Sequence, residues 1–204
     1  MKTFALILVF ISAIIGLAHA QTQVFERYEP SSTSVAIMPV INRSGEKVPE
    51  DRAKQARFGS EELVKRFTES GFKLISSAKI NEAITVQKLD LDDEENYRKT
   101  EFYKIGKATG AQLLIFVVID AVDQRDVHKV FVQSKVAKAN IRIWFLDVSS
   151  EKPLLNGVRQ EASSEGGGMF PAFEKGSARM PIAVANAVRK ALEPFLKQYK
   201  PVKK

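Results

Sequence analysis

Nucleophilic catalysis of the Ser-His-Asp or Cys-His kind needs a histidine base. The chain has two histidines and no cysteine. His19 falls in the N-terminal apolar segment, which leaves His128, in Asp123-Gln124-Arg125-Asp126-Val127-His128, a stretch that reads as an exposed hairpin tip. Metal binding would need clustered ligands, and the acidic run at residues 90–95 is the one cluster present. Asp90, Asp92 and Glu94 alternate as in a calcium loop, but Glu95 stands where that loop requires a turn glycine. The run reads better as a helix start, with Asp92 and Glu95 as a capping box. A carboxylate pair could hydrolyse a glycoside without histidine, and Asp120 and Asp147, both at expected strand ends, are the candidates for it. Glu165-Gly166-Gly167-Gly168-Met169-Phe170 lacks the Gly-Lys-Ser/Thr of a phosphate loop. It is expected to be a flexible loop, and Gly166, Gly167, Gly168, Met169 and Phe170 form a candidate partner-binding site. No catalytic, metal or cofactor residue is assigned, and a non-enzymatic protein is expected.

The composition narrows the class. Of 204 residues, 45% are hydrophobic, and 31 Lys and Arg outnumber 24 Asp and Glu, which suits a folded domain with a basic excess rather than a disordered chain. Lys197, Lys200, Lys203 and Lys204 concentrate that excess in a tail that could touch an anionic membrane surface weakly. The tail lacks the interleaved aromatics of a single-strand platform, so no nucleic acid is expected. The first 20 residues read as a signal peptide: Lys2, an apolar run over 4–18, then Ala18-His19-Ala20, with cleavage between Ala20 and Gln21. That run is shorter than the roughly 20 residues of a spanning helix. The expected location is the periplasm, the cell envelope or the exterior. The lack of cysteine excludes a disulfide scaffold and a lipobox.

The positioning elements follow from periodicity. Residues 21–33 are polar and read as a linker. A short apolar strand over 35–41 contains Pro39, which suggests an edge or a bulge. Residues 50–70 have a helical stripe of Ala56, Leu63, Val64 and Phe67. A strand over 72–75, a helix capped by Ser77 and running to 86, and another over 97–108 come next, followed by a central buried strand at 113–119. Residues 130–148 alternate with a phase change that predicts a bend near 136–138. A turn at 149–153, a return strand at 154–162 and an amphipathic helix over 181–199, kinked or ended at Pro194, complete the chain. The fold class is α/β (α+β), a mixed sheet with helices packed on it, with one domain at 34–199 and a basic tail at 200–204.

Four segments, in order, resemble the CsgG family: Ser34-Val35-Ala36-Ile37-Met38-Pro39-Val40-Ile41-Asn42-Arg43-Ser44-Gly45, Ser70-Gly71-Phe72-Lys73-Leu74-Ile75, Ile105-Gly106-Lys107-Ala108-Thr109-Gly110-Ala111-Gln112-Leu113-Leu114, and Ile141-Arg142-Ile143-Trp144-Phe145-Leu146-Asp147-Val148. The family includes the curli secretion channel subunit, and the peptidoglycan-synthase activator LpoB and the N-terminal domain of TolB look similar in fold. The resemblance implies an exported adaptor or assembly factor that binds an envelope protein or itself. The alternative it implies is a subunit of an oligomeric outer-membrane secretion channel. In that case residues 122–129 and 163–177 would be the membrane hairpins, yet they read as too short and polar for strands of about 9 to 11 residues each.

Overall fold

The computed structural model describes residues 28–91, 99–129, 132–168, 179–197 and 199. Six strands form one mixed sheet: β1 (Ser34–Ile37), β2 (Ile41–Asn42), β3 (Lys73–Leu74), β4 (Leu113–Lys129), β5 (Val132–Asp147) and β6 (Lys152–Gly168). Its order is β3-β1-β4-β5-β6, with β2 also on β4. β1, β2 and β3 join by parallel pairing, whereas β4, β5 and β6 form an antiparallel meander. Among the described residues, four helices pack on the sheet: α1 (Pro49–Glu69), α2 (Ser77–Val86), α3 (Lys99–Thr109) and α4 (Arg179–Leu196). The expected α+β architecture is therefore observed.

The continuous apolar run of β4 is central because both of its faces are covered. Leu113, Ile115, Val117 and Ile119 meet Phe67 of α1 and Val184, Val188 and Phe195 of α4. Leu114, Phe116 and Val118 meet Ile80 of α2 and Phe102 and Ile105 of α3. Each such side chain, when fully buried, contributes about 1.5–3 kcal/mol. Rings knit both cores: Phe145 and Phe195 lie 5.0 Å apart edge-on, and Phe102, Phe116 and Trp144 stack at 4.4 and 4.7 Å.

Several local expectations are corrected. Val64, expected on the apolar stripe, is 45% exposed, and Glu62 is buried instead. The cause is an ion-pair network: Glu62 Oε1 accepts from Arg66 Nε at 2.8 Å and from Arg189 Nε at 2.9 Å, which ties α1 to α4. Burial alone would raise the Glu62 pKa, but the two guanidiniums outweigh it and hold it below its usual value. Ser76, not Ser77, caps α2, its hydroxyl accepting from Lys79 N–H at 3.4 Å. Helix α4 passes through Pro194, which is exposed in its last turn, and ends at Leu196. Tyr28, in the expected linker, is buried, and its carbonyl accepts a hydrogen bond from the Tyr199 hydroxyl at 2.8 Å.

Pro39 does mark a bulge. Ile37 pairs with Ile115 and Ile41 with Val118, so the β1–β2 side carries one residue more than β4. The bend expected at 136–138 is absent, and β5 runs unbroken. The irregularities fall on its neighbours, between Ile119 and Ala121 in β4 and opposite Trp144 in β6. In β6, Gly157 has φ +65, a conformation that strains any L side chain, and a Cβ there would also press on the Trp144 indole at 3.0–3.1 Å.

Candidate interaction surface

The meander is longer than the sequence suggested. β4 and β6 have 17 residues and β5 has 16. The expected hairpin tip at 123–128 is regular ladder, from Asp123↔Lys138 to His128↔Gln133. Gly166, Gly167 and Gly168 form strand rather than loop, opposite Lys135, Ser134 and Gln133. Glycine disfavours strands intrinsically, but pairing to β5 overrides that preference. Parallel pairing on the other side of β4 ends at Asn42↔Ile119. Beyond it the three strands continue for about nine residues, roughly 30 Å at 3.4 Å per residue.

One face of this extension lies under α4. Ala137 and Ala139 of β5 are fully buried with Ala183 and Ala187 of the helix, and these small residues allow close approach. Asn186 Nδ2 donates to the Ser163 carbonyl at 3.0 Å, and Arg179 Nη1 to that of Glu165 at 3.0 Å. The opposite face carries charge of both signs. Asp123, Arg125, Lys138, Arg159, Glu161 and Glu165 are exposed there, and no described helix covers them.

Arg142 roots this face in the fold. Its Nη2 lies 2.6 Å from Asp120 Oδ1 and its Nε 2.8 Å from Oδ2, a two-pronged pair. The guanidinium also sits 5.5 Å from the centre of the Trp144 ring. Lys138 Nζ pairs with Glu161 Oε1 at 3.2 Å across β5 and β6. Among the described residues, no strand lies beside β4 from Asp120 onward on the side that β2 occupies earlier. Asp123 and Arg125, both exposed, put opposite charges along that edge, which discourages indiscriminate strand addition.

Asp120 and Asp147 do not form a pair. Asp147 pairs with Leu113 at the other end of the β4 run, so about 24 Å of strand separates them. Carboxylates acting together on a glycoside stand within about 10 Å. Asp147 instead shapes the β5–β6 turn, accepting from Ser149 N–H at 2.9 Å, Ser149 Oγ at 2.6 Å and Ser150 N–H at 3.2 Å. Burial opposes its ionisation, but these donors and the Tyr28 hydroxyl prevail and lower its pKa to about 2. Among the described residues, no three of His, Asp and Glu gather as metal ligands. Lys197 is exposed just after α4. Ala20, Gln21, Asp92, Glu94, Glu95, Met169, Phe170, Lys200, Lys203 and Lys204 lie outside the described residues. The sequence reading missed Lys138, Arg142, Arg159 and Glu161 as a surface. Their signal was polar residues at alternate positions, Lys138, Asn140 and Arg142, then Arg159, Glu161, Ser163 and Glu165, with Ala139, Ile141 and Ala162 between them.

No family model matches the chain, and no curated protein matches it. Similar solved structures include lipoprotein GNA1162 from Neisseria meningitidis, 13% identical with a TM-score of 0.47, covering 79% of this chain and 99% of that one. The hypothetical protein CT253 from Chlamydia trachomatis is 16% identical with a TM-score of 0.45, covering 80% and 97%. The LpoB C-terminal domain from Salmonella enterica is 12% identical with a TM-score of 0.39, covering 74% and 93%. A CsgG-like assignment finds no sequence match among these comparisons.

Proposed function

We propose that this chain is an exported, non-enzymatic protein of the cell envelope that acts as a protein-binding adaptor or assembly factor. The observation that carries this reading is the three-stranded extension. It is backed on one side by α4, and its other face bears exposed charge with no described element over it. A wide sheet face of mixed charge suits a protein surface of complementary charge, because such pairs set orientation and partner choice more than affinity. The partner is another envelope protein or a second copy, with a weak anionic-membrane contact through Lys197, Lys200, Lys203 and Lys204.

The secretion-channel alternative gains length, since the strands run about nine residues beyond Ile119, near the 9 to 11 of a membrane strand. It lacks the required pattern. Beyond Ile119, one set of alternate β4 residues includes Asp123 and Arg125, and the other Gln124, Asp126 and His128, so neither makes an apolar band. Cross-linking of tagged protein in its native envelope, followed by mass spectrometry, tests the reading. One stoichiometric foreign partner is expected. A ladder of self-products alone would favour a secretion ring, and no product at all would sink the adaptor.

A further inference from the structure

We propose that the open side of β1 is a second docking site, a groove that receives a short, extended, uncharged apolar segment of a partner protein in the sheet position that β3 leaves vacant. β3 meets β1 only at Ser34↔Lys73 and Val35↔Leu74, and the ladder closes with Ile75 N–H donating to the Val35 carbonyl at 2.9 Å. The chain then turns away at Ser76 into α2. Met38 N–H donates to the Ile115 carbonyl on the β4 side at 2.9 Å, so alternation directs the main chain of Ile37 to the same side as that of Val35. Among the described residues, no backbone group meets Ile37 there. Pro39 follows, exposed and without an N–H, which limits added pairing to a few residues.

The vacancy has walls. Ser60 and Val64 of α1 stand on one side and the first turn of α2 on the other, around about 440 Å³ of open volume. Leu74 and Ile75 line it beside Ile37. Charged residues make up 27% of the chain, yet among the described residues none lines this groove. An ionised partner side chain would lose hydration here and meet no counter-charge, so the charge match is to a neutral segment. Val64, apolar and 45% exposed, supplies a hydrophobic contact at the rim. Main-chain pairing would give the segment its hold and the apolar walls its selectivity, the logic of strand addition at a sheet edge.

This inference rests on the reading of the chain as a protein-binding module but uses a different surface. The probe is the blocked peptide acetyl-Thr-Val-Ile-Val-Thr-amide, titrated into the purified full chain and followed by amide NMR shifts. Saturable shifts are expected at Ile37, Val64, Leu74 and Ile75. Affinity should fall at least tenfold for the same peptide N-methylated along one edge, for the peptide with a central Asp, and for the Val64→Lys protein at unchanged Tm. Absence of saturable shifts, shifts elsewhere, or equal binding of the methylated or acidic peptide would overturn the groove. Concentration-dependent shifts at these residues without peptide would assign it to a second copy and overturn the peptide assignment. If the groove fails while envelope cross-linking still captures a partner, the groove alone is wrong. If capture fails, the adaptor reading falls whatever the peptide does.

Discussion

Asp147 illustrates how a residue suited to catalysis can be occupied by structure. Only 3% of its surface is exposed, and its carboxylate is held by the turn that it organises. Its folded pKa of about 2 lies below the ordinary 3.8, so the unfolded chain takes up the proton first as the pH falls. The linked stabilisation of about 2 kcal/mol is complete above pH 4 and is lost as the pH drops toward 2. Urea unfolding of the parent and of Asp147→Asn should therefore show a constant gap above pH 5 that closes between pH 4 and 2. Tyr103, close by, is a cost rather than a support. Its hydroxyl is buried with no hydrogen-bond partner among the described residues, and burial, then the charges of Asp147 and Glu151, raise its pKa. Tyr103→Phe should raise stability by about 1 kcal/mol, read as a higher urea midpoint. Sequence could place Asp147 at a strand end and Tyr103 inside a helix, but not reveal which polar atoms meet, because that depends on a turn closing against Tyr28.

Elements were legible wherever one period dominated. The buried run at 113–119 and the amphipathic face of α4 show plainly in the sequence, since apolar spacing alone dictates them. The extension of β4, β5 and β6 was not legible. Its charged alternation over 123–128 and its glycines at 166–168 resemble turn chemistry, and only cross-strand pairing makes them strand. The stripe of α1 misled at Val64 because an ion-pair network, invisible to hydropathy, buries Glu62. Close approach between elements was equally hidden. A Cβ on Gly106 of α3 would fall 2.5 Å from Val148 Cγ2, so helix and strand end touch only because glycine is there. Gly106→Ala should cost about 1–3 kcal/mol through overpacking, seen as a fall in Tm.

At the scale of the whole molecule, helices seal one half of the sheet on both faces, and among the described residues a helix covers only one face of the other half. That asymmetry is what a binding module needs: a rigid base that fixes the geometry and an open face that meets a partner. The open face is tied to the base through Arg142, Asp120 and the ring stack of Trp144, Phe116 and Phe102. It should therefore keep its shape when its exposed charges are altered. Reversal of Arg159 and Lys138 together to Glu should leave Tm within a few degrees, because exposed pairs contribute little to stability. Partner capture should drop by at least tenfold, measured by quantitative pull-down from envelope extracts. The most direct measurement places a photo-cross-linking amino acid at Arg159 or Glu161 on the open face, and at Glu82 on the exposed side of α2, in cells making the full chain. One foreign protein captured from both open-face positions and not from Glu82 is the expected result. Capture from Glu82 alone, or none from the open face, would contradict the assignment of this surface as the adaptor's binding platform.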